Sequence, residues 1–134
     1  DSPTGYEVTI QASDAPAMRS AGGASISNYN TGSTADFAFT IPTASAVFGF
    51  SPEGTDVADA FLDNTTTCGV GTTDTPGACW AGVSTTPVTI VEATSPNQPT
   101  GATTTLQFRV GIANGGGVES GVYTATTTLT ALPL

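Results

Sequence analysis

Leu106-Gln107-Phe108-Arg109-Val110-Gly111-Ile112 alternates apolar and polar or small residues one by one. Side chains of an extended chain point to opposite faces in turn, so this period of two describes a strand with one buried and one solvated face. The same period recurs outward in both directions. Tyr6, Val8, Ile10 and Ala12 alternate with Glu7, Thr9 and Gln11, and Phe37, Phe39 and Ile41 alternate with Asp36, Ala38 and Thr40. Ala46, Phe48 and Phe50 follow after a break at Pro42, and a short apolar run, residues 88–91, follows Pro87. In residues 122–132, Tyr123, Ala125, Leu129 and Ala131 fall on one face, and Val122 with Thr124, Thr126, Thr128 and Thr130 on the other. Residues 24–29 and the stretch around Trp80 are weaker strands. Gly, Pro, Asn and Ser separate the segments, and Gly115-Gly116-Gly117 reads as a hairpin connection between the last two strong strands. One segment departs from the pattern: residues 55–64 place Val57, Ala60 and Phe61 at helical spacing behind Thr55 and Asp56, a short capped helix. The expectation is an all-β fold, an Ig-like or pilin-like β-sandwich of about 7–8 short strands with one short helix.

Composition narrows the chemistry. The 134 residues contain 26 threonines, no lysine, no histidine and two arginines, Arg19 and Arg109, against eleven acids, for a net charge of −9. Threonine suits strands because its branched Cβ packs on a pleated surface. A field of this sign repels nucleic acid and anionic lipid, so neither is expected as a partner. No run of apolar residues is long enough to span a membrane as a helix. Cys68 and Cys79 flank a polar Gly/Thr loop with no histidine or third cysteine to complete a zinc site. A disulfide between them is the expected state, which implies an oxidising, extracellular setting. Asp1-Ser2-Pro3 reads as a mature end left by signal cleavage.

A Ser-His-Asp or Cys-His arrangement lacks its base. Glu53, Asp56, Asp59 and Asp63 are carboxylates for paired acid–base work, but acids gather at the start of a capped helix without catalytic cause. Glu53, Asp56, Asp63, Asn64 and Asp74 have oxygen ligands suited to calcium but not the spacing of a calcium loop. No catalytic residue, metal site or cofactor is therefore assigned, and the chain is not expected to be an enzyme. Asn64-Thr65-Thr66 is a glycosylation acceptor at Asn64. Trp80 and Tyr29 are the aromatic residues for contact with a glycan, set against packing of Trp80 on the disulfide. The threonines of residues 124–130 suggest an ice-binding ladder, but a single strand is not a flat array.

Phe48-Gly49-Phe50, the acidic segment from Asp56 to Asp63, Cys68 with Ala78-Cys79-Trp80, Thr103-Thr104-Thr105-Leu106-Gln107-Phe108-Arg109-Val110, and Gly121-Val122-Tyr123-Thr124-Ala125-Thr126 occur in that order. The set, within residues 46–132, resembles Thr-rich secreted surface proteins of candidate-phyla (Patescibacteria-type) bacteria. The resemblance implies a secreted surface domain and carries over no catalytic site.

Residues 1–23 read as an N-terminal strand and a flexible Ala/Gly/Ser/Pro segment, and residues 24–134 as the sandwich domain. The strand is amphipathic, and the segment behind it would let it complete a neighbour's sheet. The expected function is a structural subunit of an extracellular, pilus-like filament at the cell surface, a homopolymer assembled head-to-tail by strand exchange. Tyr6, Val8, Ile10 and Ala12 would be donor residues, and Phe37, Phe39, Phe108 and Val110 the acceptor groove. Without lysine, such a polymer has no lysine isopeptide bond to join it. The alternative is a monomeric secreted module that binds a glycan or a cell-surface ligand.

Overall fold

A computed structural model describes residues 2–29, 32, 34–96 and 101–134. The chain is all-β, with eight strands in two sheets among the described residues. They are β1 (Tyr6–Ala12), β2 (Met18–Ser20), β3 (Ser25–Asn28), β4 (Ala46–Gly54), β5 (Val88–Ala93), β6 (Thr104–Ile112), β7 (Tyr123–Ala125) and β8 (Thr127–Pro133). One sheet has the order β5-β1-β8, and the other β6-β4-β3-β2-β7. All pairings are antiparallel except β3 with β4. No helix among the described residues is long and apolar enough to cross a membrane.

Two sheet changes join the layers. β1 and β8 pair along their whole length in the three-stranded sheet, and their continuations β2 and β7 pair in the five-stranded one. The ribbon bends at residues 13–17 and at Thr126, where Thr126 C=O accepts the Ser13 N–H. Residues 122–132 are therefore two short strands, and their threonines are divided between the two sheets. The segment expected to be flexible, residues 13–23, contains β2. Its Arg19 side chain donates to Pro16 C=O and to Ala15 C=O.

Ile10, Phe48, Phe50, Phe61, Val83, Ile90 and Val91 form the centre of the main core. A smaller cluster of Tyr29, Val47 and Trp80, with Phe39 and Ile41 against it, covers the outer face of β4 and β6. Burying each large side chain contributes about 1.5–3 kcal/mol, so the core outweighs the sparse charges as a source of stability.

Three further elements differ from the sequence expectation. Phe37 to Ile41 is not a strand. Its backbone groups are taken up by a side chain: the Tyr29 hydroxyl accepts from Thr40 N–H (3.0 Å) and lies 3.0 Å from Ala38 C=O and 2.9 Å from Asp36 Oδ2. The expected helix over residues 55–64 shrinks to one 3-10 turn, Asp59–Phe61. Its first half instead pairs with β5: Ala58 N–H donates to Ile90 C=O, and Glu92 N–H to Asp56 C=O. Gly115 to Gly117 do not close a hairpin, because β6 and β7 are opposite edges of their sheet and the connection must cross it.

Candidate functional site

β1 lies between β5 and β8, and among the described residues β8 has no other strand neighbour. Tyr6 to Ala12 pair in register with Thr127 to Pro133, and Tyr6 to Ile10 with Val88 to Ala93 across one irregularity between Val8 and Thr9. Of the four donor residues, Ile10 and Ala12 are buried, and Tyr6 and Val8 pack against the core at partial exposure. Glu7, on the other face, accepts from Thr89 Oγ1 at 2.7 Å. The Tyr6 hydroxyl donates to Asp56 Oδ2 at 2.8 Å. Burial first, and then the bond to Asp56 and its negative charge, push the Tyr6 pKa up to about 12.

The four residues expected to form one acceptor groove are divided by the β4–β6 pair. Phe108 and Val110 stand on the face shared with Phe48 and Phe50, where Phe108 stacks on Phe48 at 5.9 Å. Phe37 packs against the main core. Phe39 lies on the opposite face, stacked on Tyr29 at 4.3 Å and edge-on to Trp80 at 5.1 Å. A Cβ on Gly49 would fall 2.8 Å from Tyr29 Cβ, and one on Gly111 2.6 Å from Ile41 and 2.8 Å from Phe39. Those two glycines let the aromatic layer lie flat on the sheet. Trp80 is 3% exposed and Tyr29 2%, so neither presents a ring face to a sugar.

Cys68 and Cys79 form the expected disulfide, with Cα atoms 5.7 Å apart. The acids near it serve as hydrogen-bond acceptors. Asp63 is fully buried and receives Thr65 N–H, Thr75 N–H and Thr75 Oγ1–H. Burial works to raise its pKa, but these three donors outweigh it and hold the carboxyl below its ordinary value. Asp74 receives Gly54 N–H, and Glu53 receives Gly77 N–H and the Gln107 side-chain amide, which fasten the end of β4 to the disulfide loop. Asn64 is exposed, and its Oδ1 accepts from Thr66 N–H, Thr66 Oγ1–H and Thr67 N–H. Among the described residues, no group of three or more His, Cys, Asp or Glu is placed to hold a metal ion.

An open cavity of about 370 Å³ lies between the loops around Thr34, Val83 and Thr85. Asn28 in its wall uses both ends of its amide, accepting from Ala17 N–H and donating to Val83 C=O.

The sequence reading missed the position of Arg109. Its guanidinium carbon lies 4.8 Å from the Phe39 ring centre and 5.7 Å from that of Trp80. No carboxylate among the described residues pairs with it. The alternation of residues 106–112 placed Arg109 opposite Phe108, but nothing local showed which aromatic rings would return over that face. Comparison with family models, with curated proteins and with solved structures found no match.

Proposed function

We propose that this chain is a structural subunit of an extracellular, pilus-like filament, assembled without covalent links by exchange of β1 between neighbouring copies. The observation that carries this reading is the place of β1: it is intercalated between β5 and β8, and among the described strands β8 pairs with β1 alone. A second copy's β1 entering the same slot meets the same partners, from Tyr6 opposite Pro133 to Ala12 opposite Thr127. The contacts of the closed and exchanged forms are then equal, and only the hinge at residues 13–17 changes course. Exchange of an identical element is a low-cost route to assembly, and when the contact is head-to-tail and does not close it yields a fibre. Main-chain bonds on both sides of the inserted strand supply affinity, and the burial of Ile10 and Ala12 fixes its register.

A double substitution, Thr9→Cys with Thr130→Cys, tests the exchange. The two positions are directly paired, so an oxidised bond forms between whichever β1 and β8 are neighbours. Electron microscopy of the secreted protein is expected to show thin filaments, and the oxidised variant a ladder of covalent multimers on a non-reducing gel. Filaments whose cross-links all fall within single chains overturn the exchange route. Monomers under all conditions overturn the filament.

A further inference from the structure

We propose that β6 is the seam of a symmetric homodimer, in which two copies pair their β6 edges antiparallel about a twofold axis through Phe108. This goes beyond strand exchange, since β6 belongs to the other sheet and pairs without β1 leaving its place.

The backbone comes first. Among the described residues, β6 is one edge of the five-stranded sheet, with β4 as its neighbour. Its neighbour Phe50 exchanges both main-chain bonds with Ala81, and Phe48 C=O accepts from Tyr29 N–H, so these two residues direct their polar groups away from β6. In an antiparallel ladder such a residue faces a partner that also points outward. Phe50 faces Phe108 and Phe48 faces Val110. The N–H and C=O groups of Phe108 and Val110, and of Leu106 at the same phase, therefore project from the free edge. Pairing Phe108 with the partner's Phe108 joins these groups in reciprocal bonds, with Leu106 opposite the partner's Val110.

The side chains agree with that register. Phe108, Val110 and Ile112 are 47%, 44% and 55% exposed on the face that carries the buried Phe48 and Phe50. A second β6 would extend this apolar face with its own Leu106, Phe108 and Val110. On the other face, Arg109 would stand opposite the partner's Gln107, whose amide is held by Glu53. The guanidinium, paired with no carboxylate among the described residues of its own copy, thus meets the Gln107–Glu53 pair of the other, and the twofold axis repeats the contact. Electrostatics select a second copy of this chain as the occupant. In a protein of net charge −9, residues 93–118 contain no acid, and Arg109 is the one charge on β6. Prolines and bulges are among the devices by which edge strands avoid pairing. β6 has no proline, runs through nine residues and pairs with β4 without a break in register. β8, one edge of the other sheet, carries Pro133 and no charged residue, so it lacks the reciprocal attraction.

Sedimentation across a concentration series, with Phe108→Cys, Val110→Lys and Arg109→Glu variants, tests the seam. The native chain is expected to show a dimer step that does not depend on exchange of β1. Phe108→Cys places two thiols at the axis and should cross-link copies through residue 108 on oxidation, located by peptide mapping beside the intact Cys68–Cys79 bond. Val110→Lys, at a half-exposed site, should lose that step at every concentration. Arg109→Glu should weaken the dimer, and adding Gln107→Arg should restore it. If Val110→Lys does not fold, the cross-link decides. The dimer should also persist when β1 is locked at home by an intrachain Thr9→Cys/Thr130→Cys bond, whereas exchange products cannot. A β1-locked chain that stays monomeric, or one that dimerises with no 108–108 cross-link, overturns the seam and leaves strand exchange standing or falling by its own gel.

Discussion

At the scale of single residues, polar side chains do the work that regular structure leaves undone. The Tyr29 hydroxyl holds residues 36–40 in place of a strand, and Asp63 gathers the donors of Thr65 and Thr75 inside the disulfide loop. Tyr6 and Asp56 tie the first strand to the segment following β4. Because the Tyr6 pKa is raised from 10.0 to about 12 in the folded protein, the folded state keeps this proton more tightly than the unfolded chain. That contribution is fully present below pH 10 and is lost as pH rises toward 12. Tyr6→Phe should therefore lower stability near neutral pH by about 1 kcal/mol, the worth of one hydrogen bond. Its stability should also fall less steeply than the native chain's between these pH values, as followed by chemical denaturation. These pairs were invisible in the sequence, since their partners lie far along the chain. Asp63 was named there only as one of several carboxylates, with nothing to mark it as the buried one.

At the scale of elements, alternation identified β1, β4, β6 and the apolar run of β5 correctly, because each sends alternate apolar side chains to the face of the main core. It failed at Phe37 to Ile41, whose alternating residues serve two different clusters: Phe37 joins the main core, and Phe39 and Ile41 the small one. It also failed at residues 55–64, where helical spacing of Val57 and Phe61 is satisfied equally by a bridge to β5 followed by one tight turn. The cysteines were legible because no other chemistry was open to them. The loop they close is also tied by Asp63, Asp74 and Glu53, so reduction should loosen it without unfolding the sheets. Cys68→Ala with Cys79→Ala should cost about 2–3 kcal/mol in global stability. Amide exchange should rise first in residues 63–79. Uniform loss of protection across β1, β4 and β6 would contradict this local character.

At the scale of the whole molecule, strand order was beyond the sequence. Nothing local reveals that the strand pair β1–β8 continues as β2–β7 in the other sheet, or that β3 and β4 run parallel. The acceptor residues were for that reason grouped on one surface, although the sheet separates Phe39 from Phe108. What the sequence did convey was the charge imbalance, which governs assembly. Copies carrying −9 repel at a distance, and salt screens that repulsion. Self-association should therefore tighten between about 10 mM and about 300 mM salt, where the screening length falls from roughly 30 Å to below 10 Å. Sedimentation at fixed protein concentration checks this, and weakening with salt would mean that local attraction at Arg109 outweighs the global field.

The pairing of β1 with β8 also fixes how this domain would answer to tension. Gly5 C=O accepts the Leu134 N–H, so those two residues are neighbours at the same end of one antiparallel ladder. Traction applied between them loads a single bond at a time and peels β8 away like a zipper, at low force. Traction between Gln11 and Leu134, at opposite ends of that ladder, would load all its bonds together in shear. A soft latch and a stiff strut are thus built from the same two strands, and the point of attachment selects between them.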